Sequence, residues 1–204
     1  MGHVGSIPPE IANLSSLVSL DMNDNSFHGP LPAQDSSCFL QRDVWEIPSS
    51  LEQCSQLEFL SLYNNKFDGI VPRELGNLTK LQILDIGANK LTGDIPEDIG
   101  RLTKLQGLGC EKKKTKLQGL RLKSNKLKGP LPATLFSMPS LQYADFSYNE
   151  LSGPLSPQIG NMTSLFRIDL ESNHFSGTIP KEIGRLPNFE RLSMSGNQSF
   201  RLRL

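Results

Sequence analysis

Asparagine recurs at a fixed interval along this chain of 204 residues. The recurring positions are Asn25, Asn65, Asn89, Asn125, Asn149, Asn173 and Asn197. From Asn65 to Asn89, and again from Asn125 to Asn197, the step is 24 residues. A repeat of about 20 to 29 residues with leucines in register is typical of a solenoid. The chain is therefore expected to fold as a stack of coils, and its function should lie on a long, regular face.

Apolar residues recur in register with the asparagines. The text from Leu78 reads LTKLQILDIGANKLTGDIPEDIGR, and the text from Met162 reads MTSLFRIDLESNHFSGTIPKEIGR. The alternation over 84–86 predicts a short, half-buried strand, and stacked strands about 4.8 Å apart form a parallel sheet. The asparagine follows where the chain turns inward, so its amide is expected to bridge the backbones of adjacent coils. Glycine and proline then predict a tight turn, a second extended stretch and a short helical segment.

The consensus LxxLxxLxLxxNxLxGxIPxxIGx resembles the plant-specific class of leucine-rich repeat proteins. Its distinguishing GxIP element is present at Gly93, Ile95 and Pro96, and again at Gly177, Ile179 and Pro180. The resemblance implies an α/β solenoid, a right-handed leucine-rich repeat superhelix. Its parallel β-sheet is concave, and its convex side carries short helical or 3-10 segments.

The resemblance also implies a function outside the cell, in signalling or defence. It is similar to the ectodomain of a receptor-like kinase or receptor-like protein, which binds a protein, peptide, steroid or microbial ligand together with a co-receptor. Its expected location is the plasma membrane or the extracellular space. A secreted polygalacturonase inhibitor has a similar repeat, and an intracellular repeat scaffold is a third hypothesis.

Two segments break the repeat, so residues 1–204 are expected to form one array with irregularities at 33–47 and 109–116. One interpretation is that each segment is a surface island that contacts a ligand, as loops on rigid scaffolds often do. The other is that each is a truncated or degraded coil, which we favour because both read as partial repeats. No cap domain, transmembrane helix or kinase domain is recognisable, and the chain is interpreted as an internal stretch of a longer protein.

Candidate ligand contacts follow from strand geometry, because side chains that flank an inward leucine point to the other face of the sheet. They are Asp21, Asn23, Phe59, Tyr63, Asp85, Arg121, Lys123, Tyr143, Asp145, Tyr148, Arg167, Asp169, Glu171 and Arg191. Four of them form an acidic ladder: Asp21, Asp85, Asp145 and Asp169. For the ladder we favour the alternative that it is ordinary, solvated repeat consensus, whereas the aromatic residues are the stronger candidates for interface anchors.

Composition narrows the function classes. Lysine plus arginine equals aspartate plus glutamate, 21 of each, so no net field favours nucleic acid or an anionic membrane. The histidines His3, His28 and His174 lie in different coils without metal-ligand spacing, and no catalytic motif is present. We therefore expect no enzyme activity, no cofactor and no metal. Membrane attachment would come only through a further segment of a parent protein.

Cysteines and sequons add two smaller expectations. Cys54 occupies an inward leucine position and should be a core residue, while Cys38 and Cys110 lie in the irregular segments. Sequons at Asn13, Asn77 and Asn161 share one repeat position on the convex side and are candidate glycosylation sites. A fourth sequon, at Asn197, also belongs to the inward asparagine series, which argues against its use.

Overall fold

The computed structural model describes residues 4–27, 46–105, 119–198 and the backbone of 200–201. Its largest element is a parallel sheet of seven strands, one from each coil, and we name each coil by its recurring asparagine. In chain order these strands are Ser19–Asp21, Phe59–Ser61, Ile83–Asp85, Leu120–Arg121, Tyr143–Asp145, Arg167–Asp169 and Arg191–Ser193. Strands that follow one another in this order are neighbours in the sheet, which confirms the predicted solenoid.

A second sheet follows the asparagines, where the sequence predicted another extended stretch. Its four parallel strands are Thr92–Asp94, Lys126–Gly129, Glu150–Gly153 and His174–Phe175. Two further parallel pairs join Val4–Gly5 to Ser26–Phe27 and Gly177–Thr178 to Phe200–Arg201. Gly93 adopts a φ of +74° at this turn, a conformation that glycine tolerates without steric cost.

The predicted helical segments are 3-10 helices of five residues. They span Pro9–Asn13, Ser49–Gln53, Arg73–Asn77, Glu97–Arg101, Ala133–Ser137, Pro157–Asn161 and Lys181–Arg185. These helices stack closely from coil to coil. A Cβ atom on Gly76 would lie 2.3 Å from the carbonyl oxygen of Asp98, so this position accepts no side chain.

The core is a column of inward side chains that lie in register across the large sheet. Its members are Leu20, Leu60, Leu84, Leu120, Ala144, Ile168 and Leu192. The five central members are fully buried, whereas the first and last are partly buried because each has one neighbouring coil among the described residues. Burial of one leucine contributes roughly 1.5–3 kcal/mol, so stacking is the main source of stability.

The asparagines bridge successive coils through their side-chain amides. Asn149 Oδ1 accepts a hydrogen bond from the backbone N–H of Leu127 in the preceding coil at 3.1 Å. Asn149 Nδ2 donates to Leu122 O of that coil at 3.1 Å and to Phe146 O of its own coil at 3.0 Å. The same arrangement recurs at Asn65, Asn89, Asn125, Asn173 and Asn197. The amide of Asn25 donates to carbonyls within its own coil.

The coils on either side of each irregular segment are direct neighbours. The Asn25 strand pairs with the Asn65 strand, and the Asn89 strand pairs with the Asn125 strand. Residues 28–45 and 106–118 lie outside the described residues. They include 33–45 of the first irregular segment and all of the second, and with them Trp45, Cys38 and Cys110. Ile47 is described and already belongs to the core, with 2% exposure.

No helix in the described part of the chain combines the length and apolar character that crossing a bilayer requires.

Candidate ligand-binding face

Three columns of residues lie on the side of the large sheet opposite the inward core column. We call this side, which carries the predicted ligand contacts, the outer face. The column before the inward residues consists of Ser19, Phe59, Ile83, Gly119, Tyr143, Arg167 and Arg191. The column after them consists of Asp21, Ser61, Asp85, Arg121, Asp145, Asp169 and Ser193. The third column, two residues further on, consists of Asn23, Tyr63, Gly87, Lys123, Ser147, Glu171 and Ser195.

Two cations converge on one aromatic ring in the first half of the outer face. The Arg121 guanidinium carbon lies 5.9 Å from the centroid of the Tyr63 ring, and Lys123 Nζ lies 5.6 Å from it. Tyr63 is two coils away, but the intervening coil has Gly87 in this column. A Cβ atom on Gly87 would lie 3.2 Å from Lys123 Cγ, so the lysine stem occupies the space that glycine leaves. Arg121 Nη1 also pairs with Asp85 Oδ2 at 3.0 Å.

Asp85 is held in this half by the backbone as well as by Arg121. Its Oδ1 accepts a hydrogen bond from the Gly87 N–H at 3.1 Å, and the residue is 7% exposed. Burial raises the pKa of Asp85, and the positive charge of Arg121 opposes that shift. The ion pair therefore limits the rise in the pKa of Asp85 that burial alone would cause.

Two carboxylates converge on one hydroxyl in the second half. Tyr143 Oη lies 3.0 Å from Asp145 Oδ2 and 3.2 Å from Asp169 Oδ2, and all three residues are 5% exposed. Ser147 donates to Asp145 Oδ1 from its N–H at 3.1 Å and from its hydroxyl at 2.5 Å. Burial and the two carboxylates raise the pKa of Tyr143, so its hydroxyl remains protonated and can donate.

Arg167 contacts two members of this site, Asp169 and Tyr143. Its Nη2 lies 2.6 Å from Asp169 Oδ2, and its guanidinium carbon lies 5.4 Å from the centroid of the Tyr143 ring. The hydrogen bond to Asp169 is the main cause that raises the pKa of Arg167. The ion pair lies within one coil, and the cation–π contact with Tyr143 joins that coil to the preceding one.

Tyr148 is the most exposed aromatic residue of the region. It is 53% exposed, and its hydroxyl donates to Glu171 Oε1 in the next coil at 3.1 Å. Its backbone has a φ of +57°. The equivalent position is Asp24, Asn64, Ala88, Ser124, Ser172 and Gly196 in the other coils. A left-handed conformation is unusual for a bulky residue, and the equivalent residues of the other described coils are smaller than Tyr148.

The remaining candidate contacts are spread over the ends of the face. Asp21 and Arg191 are exposed, and Phe59 is half-buried. Asn23 Oδ1 accepts hydrogen bonds from the Ser61 hydroxyl at 2.6 Å and from the Tyr63 N–H at 2.9 Å. Asn23 thus links two coils, and its oxygen is already occupied.

The structure differs from the sequence expectation of a solvated acidic ladder. Asp21 alone of its four members is exposed, whereas Asp85, Asp145 and Asp169 are buried in the networks described above. The local sequence does not distinguish the buried members from the exposed one. Asp85 and Asp145 accept from the backbone N–H two residues further on, but exposed Asp21 does the same from Asn23 at 3.2 Å. The difference therefore comes from the side chains of neighbouring coils.

The three convex sequons occupy one structural position, the last residue of a 3-10 helix. Asn13, Asn77 and Asn161 are all exposed. The side chain of Asn77 donates to Glu52 Oε2 at 2.6 Å and accepts from Arg101 Nη1 at 3.2 Å. Asn13 and Asn161 therefore remain the less encumbered candidates for glycosylation.

Cys54 lies in the core with 0% exposure, and its thiol donates to the Ile11 carbonyl at 3.3 Å. Burial raises the pKa of this thiol. His174 is exposed, while His3 and His28 lie outside the described residues. Among the described side chains, no group of three or more His, Cys, Asp or Glu residues is arranged to hold a metal ion.

Comparison with known families and structures places these features in context. The Leucine Rich Repeat family model matches residues 56–78, 80–102, 140–162 and 164–186. No curated protein sequence matches the chain. The ectodomain of the Arabidopsis thaliana receptor kinase GASSHO1/SCHENGEN3, solved in complex with CASPARIAN STRIP INTEGRITY FACTOR 2, is similar with a TM-score of 0.80. That match has 28% identity and covers 98% of this chain and 23% of the receptor chain.

Two further structures show how widely the fold is used. The plant peptide hormone receptor RGFR1, solved in complex with RGF2, has a TM-score of 0.75 and 32% identity over 98% of this chain and 31% of its own. A plant ice-binding protein has a TM-score of 0.72 and 26% identity over 95% of this chain and 54% of its own. The chain thus spans about a quarter to a third of the two receptors. Because one fold serves different functions, function must be argued from the outer face.

Proposed function

We propose, on the premise that this chain is a plant-type leucine-rich repeat array similar to receptor-kinase ectodomains, that it recognises a peptide or protein ligand on its outer face. In this proposal it is the ligand-binding part of a receptor-like kinase or receptor-like protein. It acts outside the cell in signalling or defence, and a co-receptor completes the complex.

The observation that carries the proposal is the concentration of aromatic and charged side chains on the outer face. Tyr63 and Tyr148 present partly exposed rings. Cations from two coils away contact the Tyr63 ring, and a carboxylate of the next coil accepts from the Tyr148 hydroxyl. Aromatic side chains fixed before binding lose little conformational entropy in a complex and are frequent hot spots. The left-handed backbone recurs at this position in the other described coils, and at Tyr148 it presents a large ring that is 53% exposed.

The structural relatives support a peptide as the ligand. Two of the similar structures are receptor ectodomains in complex with a named peptide or integrity factor, and they share the coil stacking described here. A rigid sheet face also suits an extended chain, because successive coils offer side chains at regular intervals.

A direct test is selection of binders from a displayed library of random peptides of about 12 residues. About half that length crosses the four strand-to-strand steps of about 4.8 Å between the coils of Tyr63 and Arg167, at ~3.3–3.6 Å per residue. Affinity is then measured on purified chain. Tyr63→Ala and Tyr148→Ala should each weaken binding of a selected peptide about thirtyfold or more, since truncation of a hot-spot residue costs ~2 kcal/mol or more. The matched control is Ile70→Ala, because Ile70 is 60% exposed and lies outside the outer face beside the second sheet.

Two results would contradict the proposal. One is peptides that bind with unchanged affinity to both tyrosine variants but lose affinity for the Ile70 variant, which would place recognition elsewhere. The other is potent inhibition of a polygalacturonase by the chain, which would favour a secreted inhibitor.

A further inference from the structure

The cluster of Tyr143, Asp145 and Asp169 holds more hydrogen-bond acceptors than donors. The Tyr143 hydroxyl has one proton but lies near a carboxylate oxygen of both aspartates, at 3.0 and 3.2 Å. Asp169 Oδ1 is buried and has no hydrogen-bond partner among the described residues. Buried polar atoms in native proteins are nearly always paired, so this oxygen indicates a missing donor.

Arg167 meets that need only in part. It donates from Nη2 to Asp169 Oδ2, while its own Nε is buried without a partner in the described part of the chain. A guanidinium that approaches a carboxylate squarely can donate two parallel hydrogen bonds, one to each oxygen. Because Arg167 starts from the same strand as Asp169, it makes one of these contacts and leaves the other oxygen unpaired.

Charge on this part of the outer face favours a cation from outside. Asp145, Asp169 and Glu171 are acidic, and Arg167 forms an ion pair with Asp169 alone. Arg191, the register partner of Arg167 in the next coil, is exposed and makes no ion pair with the described residues. Arg121, the register partner of Asp145, forms its ion pair with Asp85, so Asp145 and Asp169 have one ion-paired guanidinium between them.

We propose, building on the peptide recognition proposed above, that this cluster receives an arginine side chain of the peptide ligand and that Arg167 occupies its place in the unliganded chain. The cluster already accommodates a guanidinium over the Tyr143 ring. A ligand guanidinium can stack on the same ring and pair with both oxygens of Asp169. An ammonium group lacks the planar fork that both contacts require. Arg167 must move aside, because its guanidinium already holds one of those oxygens and the ring.

The experiment titrates the purified chain with N-acetyl-arginine methylamide and follows side-chain resonances of arginine and tyrosine by NMR. In the wild type, the Arg167 Nε resonance should shift as the probe displaces it. Arg167→Gln removes the internal competitor, so the apparent affinity should rise by about tenfold if the open state is about a tenth of the population. Asp169→Asn should lower the affinity by about tenfold, because a charged bidentate partner is lost. Asp94→Asn is the matched control, since Asp94 is an exposed acid on the second sheet.

N-acetyl-lysine methylamide serves as the second probe, and it should bind more weakly than the arginine probe. Equal binding of both probes, unchanged affinity in Asp169→Asn, or a wild-type titration that leaves the Arg167 resonance in place would each overturn the proposal. If Arg167→Gln does not fold, the wild-type titration and the Asp169 variant still decide. Selected peptides that bind without sensitivity to Asp169→Asn would refute this subsite but leave peptide recognition intact. An arginine probe that binds here to a chain without affinity for any peptide would support the subsite and refute peptide recognition.

Discussion

Replacing Asn149 by alanine tests how the asparagine series stabilises the stack. The amide makes four hydrogen bonds: it accepts from Leu127 N–H and donates to Leu122 O, Phe146 O and Ser147 O. The loss is smaller than four bonds suggest, because each of the three carbonyls keeps another donor. Leu122 O still accepts from the amide of the preceding asparagine, Phe146 O from that of the following one, and Ser147 O from a backbone N–H.

The Leu127 N–H is therefore the one group left without a partner, in a residue that is 0% exposed. An unsatisfied buried donor costs ~1–3 kcal/mol, so Asn149→Ala should lower the free energy of unfolding by about that amount. Urea unfolding followed by circular dichroism measures the change. Asn161→Ala is the matched control, because Asn161 is exposed and its truncation should cost less than about 0.5 kcal/mol.

Asn149→Asp separates the accepting and donating roles of the amide. The carboxylate can still accept from Leu127 N–H, but it faces three carbonyl oxygens, so this variant should be less stable than Asn149→Ala at neutral pH. The protonated form regains one donor, so the folded site favours it over the carboxylate. The folded-state pKa of the new acid therefore lies above the unfolded value. The variant should therefore recover stability as the pH falls from about 7 towards about 4. An aspartate variant that matches wild type at neutral pH, or an alanine variant no worse than the control, would refute the reasoning.

Three further perturbations test other parts of the fold. Gly76→Ala would place a Cβ atom 2.3 Å from the carbonyl oxygen of Asp98, so it should lower the thermal midpoint, whereas Gly184→Ala meets no atom within 4 Å among the described residues and should be nearly neutral. Burial raises the pKa of Asp85, so its protonation favours the folded chain, and this contribution is lost as the pH rises from the ordinary value through the raised one. Asp85→Asn should remove that pH dependence from urea unfolding curves measured upwards from the ordinary aspartate pKa of about 4. The pKa of Glu97 is lowered by hydrogen bonds from Thr134 and Ala133 of the next coil. The stability that Glu97 contributes is therefore present at neutral pH and is lost as the pH falls below the ordinary glutamate pKa. Glu97→Gln should therefore be less stable than wild type at neutral pH in thermal unfolding, and the difference should narrow steadily on acidification.

The architecture could be predicted from the sequence because each coil repeats the same local instructions. The alternation around Leu84 marks a strand, and the asparagine at position 89 marks the inward turn. The glycine and proline that follow mark the second strand and the 3-10 helix. These features depend on residues within one coil, so a periodic pattern is sufficient to place them.

Burial on the outer face could not be predicted in the same way, because it depends on which coils are neighbours. Asp85 and Arg121 are separated by an irregular stretch of the chain, yet they pair because the Asn89 and Asn125 coils stack directly. The contact of Tyr143 with Asp169 likewise joins two coils. Gly87 permits the longest of these contacts by leaving a space between Tyr63 and the cations. A single repeat carries no information on such gaps.

The spacing of the coils limits the ligand that could use both halves of the outer face. The coil of Tyr63, whose ring contacts Arg121 and Lys123, lies four strand steps from the coil of Arg167 and Asp169 in the sheet. At about 4.8 Å per step the separation is ~19 Å. An extended chain advances at most ~3.3–3.6 Å per residue, so about six residues are needed to cross that distance. A shorter peptide can contact the first half, which we call cationic for Arg121 and Lys123, or the second half, which we call acidic for Asp145 and Asp169, but not both. A ligand that needs both must therefore carry an acidic group and an arginine about five or six positions apart, and its polarity along the sheet is fixed by which end of the face is cationic.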